Sequence, residues 1–203
     1  MVAVSSSAEE IMSYIRTPSG EVITSQENLK VLGFIFRNRP SVQPQVDHMC
    51  KKFCSRVWIL RHLKGAGVPC EDLKKLYLVL VIPVLDYAVV VYHSLLSRDQ
   101  AECLERLQIC ALKIIYGFSY SAADLHERAQ IECLWERRER LVKKFLHKTA
   151  GNPRFSEEWF PKKTFTPMDL RKEFLYEEKF ARTDRVYKSP KYFFRRRLNG
   201  GLT

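Results

Sequence analysis

The sequence lacks the short motifs that mark several classes of enzyme and metal site. It has no Asp-Asp pair, no His-Glu-x-x-His, no Gly-x-Ser-x-Gly and no glycine-rich phosphate loop ending in Lys-Ser or Lys-Thr. Its six cysteines include no Cys-x-x-Cys pair, and its five histidines are scattered. We therefore expect no catalytic residue, no metal site and no cofactor, and we interpret the cysteines as buried free thiols.

The N-terminus lacks the features of a secretory signal. Residues 1–10 contain neither a basic region nor an apolar run. Free thiols also suit a reducing compartment. We therefore expect the protein in the nucleus or the cytoplasm.

Acidic residues are too few to balance the basic ones. The chain has 34 Lys and Arg against 23 Asp and Glu, a formal charge of +11. Residues 1–36 hold two of the basic and four of the acidic residues, so the excess lies after residue 36. A strongly basic chain is attracted to polyanions such as nucleic acid or an anionic membrane surface.

One segment has almost no charge. From Leu76 to Leu96 the only formal charge is Asp86, so every face of a helix here is apolar. Such a helix is buried in a protein core or in a bilayer, and a pair of strands around Pro83 is a third possibility. Asp86 would cost roughly 2.5–3.5 kcal/mol at the centre of a bilayer. We therefore predict a core helix from about residue 71 to the mid-90s, kinked at Pro83.

Asp86 has two interpretations of its own. A carboxylate in an apolar segment is either perturbed for a function at a site or satisfied by a partner such as an arginine or a tyrosine hydroxyl. We favour the second interpretation.

The remaining patterns predict a mainly α fold. Two apolar runs, Glu21–Thr24 and Leu29–Phe36, predict a β-hairpin with the loop Ser25–Asn28, which must lean on the helices or on a missing domain. Helical spacing and capping residues predict helices over Val46–Leu63, 98–116 (capped by Ser97), Ser121–Arg128, Ile131–Ala150 and Leu170–Arg182. The fold class is thus a helical bundle preceded by a short hairpin and followed by a basic, partly irregular tail. The predicted units are residues 1–40, with a flexible N-terminus, then 41–150 and 151–203.

Three sets of basic residues are candidates for contact with phosphates. The set on the last predicted helix of the bundle has acidic residues at helical spacing, so a solvated, self-paired face is at least as good an interpretation there. Aromatic residues that could stack on bases accompany the set in the tail. The nucleic-acid-binding candidates are Lys51, Lys52, Arg56 and Arg61 in the first helix, and Lys188, Lys191, Arg195, Arg196 and Arg197 in the tail.

Seven segments in order resemble one known family. They are Leu29-Lys-Val-Leu-Gly-Phe-Ile-Phe36, Val46-Asp-His-Met-Cys-Lys-Lys-Phe53, Trp58-Ile-Leu-Arg-His-Leu-Lys64, Ile82-Pro-Val-Leu-Asp-Tyr-Ala88, Leu104-Glu-Arg-Leu-Gln108, Ala111-Leu-Lys-Ile-Ile-Tyr-Gly117 and Trp135-Glu-Arg-Arg-Glu139. This series resembles the end of the palm and the thumb of reverse transcriptases from non-LTR (LINE-type) retrotransposons, over about residues 20–150. The ending of the chain is similar to the close of such reading frames.

The resemblance implies a role in holding template and primer. It places Leu32, Gly33 and Phe34 in a turn similar to the primer grip, and the basic face of the first helix beside the nucleic-acid backbone. The paired metal-binding aspartates of the family would lie before Met1, so the expected function is that of a non-catalytic fragment that binds RNA or DNA. The missing palm and fingers, or a second copy, are further expected partners.

Two alternatives remain open from the sequence. One is a scaffold or protein-interaction module whose hairpin edge pairs with another chain or with itself. The other, less favoured, is a membrane protein anchored through residues 76–96.

Overall fold

The structure is a computed structural model that describes residues 14–16, 18–20, 22–24, 27–37, 41–162, 175–177 and 180–200. The predicted flexible segment at the N-terminus, residues 1–13, lies outside the described residues. The predicted fold class is confirmed, because short antiparallel strands precede a mainly helical chain.

The strands pair differently from the sequence prediction. Strand β1 (Tyr14–Arg16) pairs with β2 (Val22–Thr24), and β3 (Asn28–Val31) pairs with β4 (Phe34–Arg37) in a second two-stranded sheet. The predicted pairing of Glu21–Thr24 with Leu29–Phe36 is therefore wrong. The second run folds back on itself, because Leu32 and Gly33 have φ of 49° and 86°. Two consecutive positive φ values give a tight hairpin turn that matches the twist of its strands.

The helices account for most of the remaining chain. Within the described residues they are α1 (Gln43–Gly65), α2 (Cys70–Leu76), α3 (Ile82–Asp86), α4 (Val89–Tyr92), α5 (Arg98–Tyr116), α6 (Ala122–Ala129), α7 (Leu134–Ala150), α8 (Pro153–Trp159), α9 (Asp184–Lys188) and α10 (Pro190–Asn199).

Local capping fixes the boundaries of α5 and α6. The Ser97 hydroxyl accepts from the Gln100 amide at 3.2 Å, while the Gln100 side chain accepts from the Ser97 amide at 2.9 Å. Ser121 and Asp124 repeat this arrangement at the start of α6. Each reciprocal pair satisfies two amides that a helix start leaves without partners. The predicted starts are thus confirmed, and α5 ends before Gly117 as expected.

The apolar segment does not form the predicted single helix. A π-helical turn, Tyr77–Val81, joins α2 to α3, and Pro83 lies in the first turn of α3, where its missing N–H does little harm. A bend is present, but it does not lie at Pro83 as predicted. The chain instead breaks at Tyr87 and Ala88, where Ala88 has φ of 56°, and the segments on either side bend by 42°.

The apolar segment is also not buried on all sides. Tyr77, Val81, Leu85 and Tyr92 are buried. Leu78, Val79 and Leu80, however, are 38%, 70% and 36% exposed. Among the described residues, no single helix is long and apolar enough to cross a membrane; the bent pair Cys70–Asp86 and Val89–Leu95 reaches that length and composition only when both parts are counted together.

Two clusters of buried apolar side chains hold the fold together. The larger one joins Phe34 of β4 to α1, the apolar segment, α5, α6 and the start of α7. On α1 it takes the predicted face, with Val46, Met49, Phe53 and Val57 inward. Burying a side chain such as Phe53, which is 1% exposed, contributes about 1.5–3 kcal/mol. The hairpin therefore leans on the helices through Phe34.

The second cluster connects α7 to the C-terminal segment, by which we mean the described residues after 150. It joins Val142 and Leu146 of α7 to Phe160 and Phe194. The predicted helix Leu170–Arg182 lies partly outside the described residues, and its described part is not helical. Tyr176 instead forms an isolated antiparallel bridge with Lys162.

The cysteines are free but less buried than predicted. All six are unpaired thiols. Cys54 and Cys110 are exposed and the other four are half-buried, so the prediction of buried thiols is wrong in this respect. Of the half-buried ones, Cys50 and Cys70 pack against the larger apolar cluster.

Candidate nucleic-acid interface

A basic cleft lies where the β3–β4 turn meets α1 and α3. Its volume is about 230 Å³. Its walls are formed by Gly33, Gln45, His48, Met49, Lys52, Arg56, Pro83, Val84 and Tyr87. The cleft therefore brings together one residue of the predicted primer-grip-like turn and two of the predicted nucleic-acid-binding residues.

Helix α1 presents its cations to the cleft at regular spacing. His48, Lys52 and Arg56 are four residues apart, so they follow one another along one side of the helix. The apolar residues of the core lie on the neighbouring side, and Met49 belongs both to that side and to the cleft lining. Because α1 is anchored by that core, the three cationic or ionisable side chains are held on a rigid support.

The turn of the hairpin closes the other side of the cleft. The Tyr87 hydroxyl donates to the Leu32 carbonyl, and a Cβ added at Gly33 would lie 3.2 Å from the Tyr87 oxygen. The position therefore favours glycine for two reasons, its positive φ and this close approach. The Ile35 amide donates to Gln45 Oε1 at 3.0 Å, which fixes β4 against α1.

Arg56 is positioned by the irregular backbone of the apolar segment. Its guanidinium donates to the Leu80 carbonyl in the π-helical turn. A guanidinium has five N–H donors in a planar fork. One bond to the backbone therefore orients the group and leaves further donors for an anion.

His48 is the most unusual group in the cleft. Its Nε2 atom is buried and has no hydrogen-bond partner among the described residues. Burial, followed by the charges of Lys52, Lys30 and Lys51, holds the pKa of His48 below its usual value. Burial is thus the largest cause of the lowered pKa, and the three lysines around the imidazole add to it.

The remaining residues predicted near the primer grip occupy different environments. Leu32 is 91% exposed at the tip of the turn, whereas Phe34 is 4% exposed and packs in the core. Phe34 therefore supports the turn and is not available for contact with a ligand.

Lys51 and Arg61 lie outside the cleft. Both are exposed on α1, and neither lines the cavity. Arg61 is close in sequence to Trp58, which is 58% exposed and whose ring centroid lies 3.7 Å from that of His62. The outer side of α1 thus carries an aromatic pair together with exposed cations.

The predicted tail arginines are engaged by the protein itself. Arg195 is 4% exposed and donates to the carbonyls of Trp159 at 2.8 Å and Glu177 at 3.4 Å. This environment does not suit a phosphate contact.

Its two neighbours are also engaged. Arg196 lies 3.5 Å from the centre of the Tyr187 ring and donates to the Tyr187 carbonyl. Arg197 donates to Glu139 Oε1 at 2.6 Å. The three consecutive arginines therefore anchor α10, and the structure does not gather them into a surface patch.

Of the two predicted lysines of the tail, only Lys188 is exposed. Lys188 pairs with Asp184 at 2.8 Å, and its side chain is 52% exposed. Lys191 is half-buried at the start of α10. Neither residue lines the cleft.

The arginines of α7 form ion pairs with other elements. Arg137 donates to both Asp86 oxygens, with its shortest bond at 2.7 Å, and this confirms the interpretation of Asp86 as an acid satisfied by an arginine. Arg138 is 3% exposed and lies 3.6 Å from Glu105. Arg140 bonds to Glu132. These three arginines of α7 therefore stabilise contacts within the fold.

Sequence reasoning missed His48 and Tyr87. His48 could have been found, because it precedes Lys52 by four residues on the same helix. Tyr87 is hidden at the end of the apolar segment, and only the break of the helix turns it toward the hairpin. Among the described residues, no group of three or more His, Cys, Asp or Glu is arranged to hold a metal ion.

Comparison with known proteins adds no relative. No family model, curated protein or solved structure matches this chain.

Proposed function

We propose that the chain binds the backbone of single-stranded RNA or DNA through the basic cleft and the outer side of α1. The observation that carries the proposal is the convergence of the Gly33 turn with Lys52 and Arg56 around one cavity. Lysine and arginine supply most backbone contacts to phosphates. The exposed Trp58 and His62 rings offer a surface on which an unpaired base stacks.

In the same proposal the chain corresponds to the end of the palm and the thumb of a non-LTR reverse transcriptase. The ordered motifs of the sequence support this, as do a glycine turn and a helical bundle that follow one another in the expected order. The chain contains no Asp-Asp pair, so we propose that it contributes binding and no phosphoryl transfer of its own.

Salt dependence of binding tests this function. Fluorescence anisotropy with a single-stranded oligonucleotide should show an affinity that falls with salt, by a log–log slope of about 0.7 for each phosphate neutralised. Lys52→Ala should reduce the magnitude of that slope by about 0.7, because one phosphate contact is lost. Lys148→Ala removes an exposed lysine of α7 outside the cleft and should leave the slope unchanged.

The proposal fails if no binding is measured at low salt. It also fails if the two lysine variants behave alike, since binding would then reflect net charge rather than the cleft. Unfolding curves of both variants should match the parent, because Lys52 and Lys148 are exposed.

A second candidate function is self-association through the hairpin. Leu29, Val31 and Phe36 are 59%, 43% and 42% exposed beside the exposed Leu32. In the described part of the chain each strand of β3–β4 has one edge without a neighbouring strand, and such edges pair with other chains. Sedimentation equilibrium should then show a dimer that Leu29→Lys abolishes, whereas a monomer at all concentrations excludes it.

A further inference from the structure

One residue of the cleft lining carries a polar atom that the fold leaves unsatisfied. His48 belongs to the lining, and its Nε2 atom is buried with no hydrogen-bond partner in the described residues. Buried polar atoms are almost always bonded to protein, water or a ligand. An unpaired imidazole nitrogen beside Lys52 and Arg56 thus suggests a ligand that accepts hydrogen bonds and carries negative charge.

The charges around His48 have one sign. The charged groups that act on it are Lys52 and Lys51 from α1 and Lys30 from β3. Arg56 of α1 and Tyr87 also belong to the lining of the cleft. The nearest acid in sequence, Asp47, accepts from the Gln43 side chain at 2.8 Å.

We propose that the cleft is a subsite for one phosphodiester group, and that His48 takes up a proton when the phosphate binds. The inference rests on the proposed function, because it identifies the phosphate as part of the nucleic acid. Nucleic-acid affinity then rises as the pH falls from about 8 to about 6, the range in which histidine titrates.

The physical reason is that the phosphate counteracts the lysine charges that, together with burial, disfavour protonation of His48. Without an anion, burial and the three lysines lower the pKa of His48 and so favour its neutral form. A phosphate offsets these charges and gives Nε2 an acceptor. The imidazolium, in which both ring nitrogens donate, is therefore favoured in the complex. Binding and protonation strengthen each other by linkage.

The test measures affinity against pH at constant salt. The probe is a single-stranded oligonucleotide with hydroxyl ends, because a terminal phosphate has its own pKa near 6. We expect binding to be about 5- to 10-fold tighter at about pH 6 than at about pH 8, since one proton contributes at most tenfold per pH unit. Calorimetry in two buffers of different ionisation enthalpy should show proton uptake near pH 7.

Matched variants assign the proton to one residue. His48→Gln should flatten the pH dependence, so that its affinities at about pH 6 and about pH 8 agree within about twofold. His147→Gln removes an exposed histidine of α7 outside the cleft and should preserve the dependence. If His48→Gln does not fold, the NMR titration of the His48 ring in the parent protein gives the answer, because the oligonucleotide must move its midpoint to higher pH.

The possible outcomes separate this inference from the proposed function. Binding that is independent of pH, or a His48→Gln variant that keeps the dependence, overturns the inference alone. No binding at any pH overturns both.

Discussion

The ion pair between Asp86 and Arg137 gives the sharpest prediction for stability. It connects the end of α3 to α7, with N–O distances of 2.7, 2.9 and 3.1 Å. The two side chains are 25% and 21% exposed. Asp86→Asn keeps the shape of the side chain and removes its charge, so it leaves the guanidinium without its counter-ion.

The expected cost follows from the burial of the pair. Removing one partner of a fully buried ion pair costs about 3–5 kcal/mol, because an uncompensated charge stays in the protein. Here a fifth to a quarter of each side chain reaches solvent, and Arg137 keeps a second acid, Glu132, at 3.4 Å. We therefore expect Asp86→Asn and Arg137→Gln each to lower the free energy of unfolding by about 2–3 kcal/mol.

Urea denaturation followed by circular dichroism measures this cost. The double variant should lose about 1–2 kcal/mol less than the sum of the single losses, because residues in contact are not additive. Additive losses, or a loss below about 0.5 kcal/mol for Asp86→Asn, would refute the reasoning. A gain in stability would instead mean that Asp86 is held in an unfavourable state for a function, as the rejected interpretation required.

Two further predictions concern the tail and the alkaline range. Arg195→Ala should free the C-terminal segment, at a local cost of about 2–4 kcal/mol from lost charged hydrogen bonds, and limited trypsin digestion should then cut after residue 150 much faster. Lys191→Ala on the same helix is the control, with an effect within about 0.5 kcal/mol; equal digestion of the two variants would contradict the anchoring role. The pKa of the Cys50 thiol is raised to about 11, mainly by burial and secondly by the neighbouring Cys103. Burial also raises the pKa of the Tyr77 and Tyr92 hydroxyls. These groups ionise more easily in the unfolded chain, so stability should be intact below about pH 9 and fall as the pH rises further; a flat urea midpoint from about pH 8 to 11 would exclude this.

Features fixed by neighbouring residues could be predicted from the sequence. The start of α5 followed from Ser97, because a capping serine acts on amides only three residues away. The apolar face of α1, with Lys51 and Lys52 turned away from it and Arg56 on its flank, followed from helical spacing in the same way. Of the predicted basic face of Lys51, Lys52 and Arg56, the second and third residues line the cleft and Lys51 does not.

Features that depend on distant residues could not be predicted. The tail arginines looked like a basic patch, but their acceptors are carbonyls and an acid far away in sequence, such as Trp159 and Glu139. The prediction of the hairpin was wrong for a different reason. Leucine rarely adopts positive φ, so Leu32 followed by Gly33 did not stand out as a two-residue turn.

The bend at Ala88 also determines whether residues 41–150 can be separated from the C-terminal segment. It directs α4 toward α7 and α10, and Val90 packs against both apolar clusters. Residues 41–150 and the C-terminal segment thus pack against the same short helix, α4, which belongs to the least polar part of the sequence. A protein shortened to residue 150 would leave Val142, Leu146 and Val90 facing water, so selection or engineering that alters either part has to accommodate the other.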